Sequence, residues 1–454
     1  MIAACACAAI FALWNDWEAY FVWDEWSYWT ERHPLLKAHQ FAEFFMREHV
    51  GHCHAIVMAI WLPLDRVFGL KSYLPYVLPT IVAHCAAGFL LFELLCYTRI
   101  RPPVAAVTAL LYLFLAAAAG NVSFGWQICL VAPIALCYLA LLAIERYADG
   151  GSRWLAWLAV ASVMLALASS GVGVTVLVVT VLAATARGRF ALAGLIIAIP
   201  GGAYLLWRHH YTPSFLPLVW SLLGPYATYT RSGLEATVED IVQIHITAVA
   251  WVLIAGALAA VGASVIRRDR YWSVFAATLA GAVFFYASLS TQRALLAAVL
   301  IPGAQAMGSP FAPSSLRYVH VASALSLPAF AYLVDRLVSV SRWIALAAIM
   351  LAVWAVAANM RGFASVNDSY IVDGQRIRAE VAATVALGHH VDAVRGSLQP
   401  YGPAAFGLSV AQVQQLAAEG KAPCDRDYTA VASVAGKLGI SPPPPEAVSC
   451  PSGP

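Results

Sequence analysis

The chain has 454 residues, 61% of them hydrophobic and only 11% charged, with a mean hydropathy of +0.74. Soluble domains carry about a quarter charged residues, so this composition excludes an ordinary soluble protein and puts lipid around most of the chain. A net charge of +3 leaves no cationic excess that would point to nucleic acid as a partner.

Apolar runs of about 16 to 25 residues, cut by short polar or Gly/Pro breaks, predict an all-α polytopic bundle of about eleven transmembrane helices. In chain order they fall at 1–20, 73–97, 103–120, 127–144, 154–168, 172–186, 190–207, 241–266, 271–289, 318–334 and 343–359. The pair 154–168 and 172–186 is short for a hydrocarbon core of about 30 Å and is broken at Ser169-Ser170-Gly171, as a barely spanning hairpin or a re-entrant pair would be. The membrane domain is expected over 1–360, with a polar juxtamembrane loop at 15–71. A tail at 361–454 follows, helical around 377–398 and disordered past the Pro-rich 441–445.

Arginine sets the expected orientation, because short cytoplasmic loops are enriched in Lys and Arg. Arg99, Arg101, Arg146, Arg153, Arg187, Arg189, Arg267, Arg268, Arg270, Arg336 and Arg342 all fall on alternate loops, hence on one face. This predicts a multi-pass protein of the cell membrane with a cytoplasmic N-terminus and an outer tail. The first apolar run is expected to be kept as a span, since losing it would reverse the alternation. Six cysteines (Cys5, Cys7, Cys85, Cys96, Cys129, Cys137) sit in apolar runs and read as packing residues. Cys424 and Cys450 bracket the polar tail, where an oxidising compartment would join them.

Chemistry is best sought where the first apolar run gives way to Tyr20–Trp29, an aromatic belt that holds the adjacent acids Asp24 and Glu25. A carboxylate near an apolar interface has its charged form disfavoured and is a candidate general base. Neighbouring residues point to different sides of the backbone, so only one of the two can face a site. His49 and His52, spaced i and i+3, are expected to share a helical face and with Glu48 and His54 offer donor atoms to a divalent ion, but interfacial hydrogen bonding is their plainer role and no metal is assigned. His84 and Glu93, polar residues within an apolar run, are expected to face the bundle.

The acidic pair and the overall layout resemble the GT-C superfamily of membrane glycosyltransferases, especially actinobacterial branches of it. The shared landmarks are Asp24-Glu25 after the first helix, the amphipathic stretch 39–68, the turn Phe124-Gly125-Trp126-Gln127, the break 169–173 and the entry Arg317-Tyr318-Val319. The chain departs from the branch at His49-Val50-Gly51-His52, which stands where relatives carry His-Asn-Glu-His. The resemblance implies inverting transfer of a sugar from a polyprenyl-phosphate donor to an envelope glycan or glycolipid acceptor. In that scheme Asp24 is the base, Glu25 its partner, and Trp126, Gln127, His49 and His52 line the site.

A lipid-phosphate donor also needs cationic groups near the outer headgroups, for which Arg317, Arg293 and His320 are the first candidates, with Arg208, His209, His210 and Arg231 behind them. Two other readings compete. A transporter or flippase calls for buried charge and paired broken helices, and a non-catalytic GT-C-like scaffold would account for the altered histidine run.

Overall fold

The computed structural model describes residues 1–212, 219–295, 311–391, 399–401, 405, 407–448 and 450. Among these, every regular element is helical apart from one bridge between His49 and His52. After α1 (Ile2–Asn15) the first polar loop carries three helices, α2 (His33–Lys37), α3 (Phe41–Met46) and α4 (Ala55–Phe68). The bundle then continues with α5 (Leu74–Tyr97), α6 (Pro102–Leu113), α7 (Ala119–Val122), α8 (Ile128–Ala148), α9 (Trp154–Leu167), α10 (Val172–Ala186), α11 (Phe190–Ile196) and α12 (Gly202–Tyr211). It closes with α13 (Leu223–Val242), α14 (Thr247–Ile266), α15 (Trp272–Leu295), α16 (Leu316–Val338) and α17 (Arg342–Leu387), followed by tail helices α18 (Val410–Ala418) and α19 (Tyr428–Lys437).

Seven helices among the described residues are long and apolar enough to cross a membrane, or eight if the bent pair formed by α6 and Ala116–Val122 counts as one span. Three more apolar helices, α1, α9 and α10, have 14, 14 and 15 residues, so at about 1.5 Å per residue each covers only part of a 30 Å core. The protein is thus a multi-pass helical membrane protein, and each expected apolar run coincides with one of these helices.

Local chemistry explains the irregular places. Pro200 interrupts the span Phe190–Tyr211, and the chain absorbs the missing N–H in a π-turn at Ile197–Gly201 instead of breaking. The bend of 43° after α6 leaves backbone groups without helical partners inside the bundle. Asn359 repairs it, since its Oδ1 accepts from the Ala116 N–H at 2.7 Å while its Nδ2 donates to the Ile241 carbonyl. The α8 span is 72% buried and central, packed by α5, α9 and α10, whereas α14 is 22% buried and faces outward.

Two expectations change. The expected span at 241–266 starts at Thr247, because 223–242 forms α13, whose Tyr226, Tyr229 and Asp240 are buried against the bundle. α17 runs unbroken for 46 residues through position 360, where the tail was expected to begin. The tail then folds back: Val431, Val434 and Val448 form a small core with Ala383 and Leu387, and Cys424 is bonded to Cys450 with Cα atoms 5.7 Å apart. The Pro-rich end, expected to be disordered, is therefore tethered as far as Val448; of the helical stretch expected at 377–398, residues 392–398 lie outside the described residues.

The alternate loops gather at one end of the bundle through ion pairs. Arg187 meets Glu145 at 3.0 Å and Asp149 at 2.5 Å, and Arg270 reaches Asp149 at 2.9 Å. Tyr97 donates to Asp149 and Ser273 to Glu145, both at 2.8 Å, while Arg101 pairs with Asp335 and Arg336 with Asp269. The other end is built by the first loop and the tail, which interlock. The Leu70 N–H donates to the Lys421 carbonyl at 2.7 Å, Lys421 Nζ lies 2.9 Å from Asp65, and Asn367 holds Asp16 at 2.8 Å.

Candidate functional site at the loop end

The two adjacent acids have opposite environments. Glu25 is 1% exposed and fixed by three donors: the Val22 N–H at 2.9 Å, the Tyr73 hydroxyl at 2.8 Å and the Trp126 N–H at 3.3 Å. Burial pushes its carboxyl up to about 8 even though these donors favour the charged form. Asp24 is half-exposed, and its carboxylate makes neither a hydrogen bond nor an ion pair among the described residues. Between Val22 and Asp24 the chain turns through Trp23 at φ +54°, a left-handed conformation that costs a bulky residue about 1–3 kcal/mol. Glu25 holds that strained turn, and the turn presents Asp24.

The first-loop aromatics form the floor. Trp26, Trp29 and Trp61 are buried around Phe21, with Phe21–Trp29 ring centroids 4.7 Å apart, and Trp61 passes the contact on to Trp126 at 5.3 Å. Sequence alone reads these rings as an interfacial belt. They are instead the core of the loop, which fixes its backbone against the start of α8.

His49 and His52 do not share a helical face. α3 ends at Met46, and the two residues close a tight hairpin turn in which each N–H donates to the other's carbonyl at 3.0 Å. Val50 at φ +51° and Gly51 at φ +78° supply the two left-handed positions that such a turn requires. The rings still converge: His49 and His54 lie 5.4 Å apart, and they lie 5.4 Å and 5.5 Å from Trp126. His52 rests on the break between α9 and α10, where a Cβ on Gly171 would come within 2.5 Å of its ring. Burial, then the charges of Arg293 and Arg208, hold His52 down to about 4, and burial holds His54 well below the usual imidazole range. Both rings are neutral at pH 7. Among the described residues no group of three or more His, Cys, Asp or Glu is arranged to hold a metal ion.

The arginines come to the same place from distant helices. Arg293, near the end of α15, is buried with its guanidinium 4.9 Å from the Phe311 ring, and Arg317, near the start of α16, lies 5.0 Å from Tyr318. Both charges reach the Tyr229 phenol, and those of Asp24 and Arg317 both reach the Cys129 thiol. Gln127 is half-buried beside Cys129, accepting from its thiol at 3.8 Å. His320 is elsewhere. It is fully buried in the bundle, bonded to Asn121 at 2.9 Å and packed 5.5 Å from both His84 and Tyr112, so it does not border the loop.

Arg32 escaped the sequence reading. Flanked by Glu31 and His33 it looks like a solvated charge, yet it is fully buried, and Nη1 donates to the Glu43 and Phe44 carbonyls at 3.4 Å and 3.3 Å. Its Nε and Nη2 have no hydrogen-bond partner among the described residues, and its charge reaches His54. No charge pattern around Arg32 marks it, because its partners are backbone carbonyls of α3, 11 and 12 residues on.

The loop end thus combines the unpaired Asp24 carboxylate, three converging imidazoles and four arginines over an aromatic floor. Compared with family models the chain matches none, and comparison with curated proteins and with solved structures gives no significant match either.

Proposed function

We propose that the protein is an inverting glycosyltransferase that takes a sugar from a polyprenyl-phosphate donor and passes it to an envelope acceptor on the outer face of the membrane. The observation that carries this reading is the division of the acidic pair. Glu25 is buried and fully bonded, so it shapes the turn, while Asp24 is left unpaired and half-exposed, its charge and that of Arg317 both acting on the Cys129 thiol. In the reaction Asp24 takes the proton from an acceptor hydroxyl as its oxygen bonds to the anomeric carbon. The bond from that carbon to the phosphate oxygen breaks, and the leaving phosphate takes up the electron pair beside Arg293 and Arg317. The neutral His52 and His54 serve as hydrogen-bonding walls.

The same reading puts the loop end outside and the arginine-rich end in the cytoplasm. An impermeant thiol reagent should label an introduced Ser441→Cys and spare Ser152→Cys; the opposite pattern overturns the orientation. The activity itself is tested by transfer from radiolabelled decaprenyl-phosphate mannose or arabinose to envelope acceptors in reconstituted membranes. The donor should also protect against thermal unfolding, and Arg317→Ala should remove that protection.

A flippase reading has one observation in its favour: the bent α6 and α7 pair brings His84, Tyr112, Asn121 and His320 together inside the bundle. Donor translocation without transfer in the same vesicles would select it.

A further inference from the structure

At the arginine-rich end a groove of about 370 Å³ opens between α5, α8 and α9, on the outside of the bundle and away from the acidic loop. Its walls are apolar, with Phe89, Leu90, Leu142 and Leu158 among them, and Trp154, which is 59% exposed, stands at its rim. Two opposite charges also line it, Glu93 one turn before the end of α5 and Arg146 in the last turn of α8. They do not pair with each other. The Glu93 side chain has no hydrogen bond or ion pair among the described residues, and the Arg146 guanidinium has only the face of Tyr97, 5.6 Å away. Elsewhere at this end Arg187, Arg270, Arg101 and Arg336 meet carboxylates, whereas here an acid and a base line one groove without meeting.

We infer that the groove binds one molecule of an amine-bearing glycerophospholipid of the phosphatidylethanolamine type from the adjoining leaflet, Arg146 taking the phosphate, Glu93 the ammonium and the apolar walls an acyl chain. The charges decide the headgroup. An anionic lipid would satisfy Arg146 but set its charge against Glu93. A choline headgroup would bring a cation with no N–H to donate. A primary ammonium supplies charge and three donors together, so it alone completes both residues. The groove's size falls within the range of small-molecule sites, and an aromatic rim at headgroup level is the usual position of an interfacial tryptophan.

The test is native mass spectrometry of the intact, purified protein titrated with equimolar phosphatidylethanolamine, phosphatidylcholine and phosphatidylglycerol of identical chains. One charge-assisted hydrogen bond corresponds to about a tenfold preference, so the first adduct should be phosphatidylethanolamine by about that factor. Glu93→Gln should erase the preference over phosphatidylglycerol. Arg146→Gln should weaken all three lipids, and Arg146→Lys should restore them. Neither residue has a hydrogen bond or ion pair among the described residues that the variants would break, so they are expected to melt with the wild type. Equal retention of the three lipids, or an unchanged preference in Glu93→Gln, would mean ordinary annular lipid and overturns the assignment. The result does not depend on whether the loop end transfers sugar.

Discussion

At the arginine-rich end Arg187 bridges Glu145 and Asp149, Arg270 joins it, and Tyr97 and Ser273 occupy remaining oxygens, whereas at the loop end Asp24 stands unpaired beside a fully bonded Glu25. Both ends are rich in ionisable groups. The cluster around Arg187 has spent its charges on one another, and such a closed ion network can fasten helices but has nothing left to offer a ligand, whereas Asp24 keeps its carboxylate open. Unpaired charge beside saturated charge is what separates a site from a staple here, and each variant below asks whether that separation is real.

The largest effect should come from Asp24→Asn, which keeps the shape and removes the base. Transfer should fall by about 100-fold to 10,000-fold with donor binding and melting temperature kept. Near-normal turnover would strip the glycosyltransferase reading of its central residue. Arg187→Met probes the opposite end. It leaves Glu145, which is fully buried, without its cation, a change that costs about 3–5 kcal/mol. Thermal unfolding in detergent should record the loss, while the surviving folded protein binds donor normally. If Arg187→Met abolished donor binding but not folding, the staple would belong to the site.

Smaller effects test how the loop end is held. Cys424→Ser opens a disulfide that spans 26 residues, worth about 3 kcal/mol in the chain-entropy model. Hydrogen exchange should rise in α18 and α19 and stay unchanged in the bundle helices. Glu25→Gln should act through pH. Its folded-state value of about 8 lies above the ordinary 4.5, so the fold favours the protonated form, and the stabilisation is complete at low pH and lost as pH rises through 8. Burial depresses His52, so it is neutral above the usual 6.5 and adds no slope there. Between about pH 6.5 and 8 Glu25 should therefore contribute a loss of up to about 1.4 kcal/mol per pH unit, and Glu25→Gln should reduce the slope by that amount. An equally steep slope in the variant would place the titrating group elsewhere.

Periodicity and composition made the bundle readable, because an apolar run of sufficient length has few other ways to satisfy its backbone. They could not separate α13 from a loop, since Arg231, Ser232 and Glu235 dilute its apolar face. Nor could they end α17 correctly: polarity changes at Arg361, but a helix stops only where its hydrogen bonding stops, at Gly388 with φ +50°. At the site, the adjacency of Asp24 and Glu25 was visible, yet their division was not. It depends on Tyr73 and Trp126, which lie 48 and 101 residues away from Glu25. The histidine hairpin was misread as helical because its left-handed Val50 leaves no sequence signal, and His320 was misplaced because one turn of helix separates a border residue from a buried one.

The length of α17 ties the membrane bundle mechanically to the loop end. At about 1.5 Å per residue its 46 residues extend about 69 Å, more than twice a hydrocarbon core of about 30 Å. Its last turns carry Ala383 and Leu387 of the tail core, and Gly374, a few turns earlier, lies against Tyr20 of the first loop. A rod of that length acts as a lever, so a tilt of about five degrees at its membrane end would carry the far end through about 6 Å, comparable to one helical turn. A change in the tilt of this span would therefore be felt at the contacts that Gly374 makes with the first loop and Leu387 makes with the tail core.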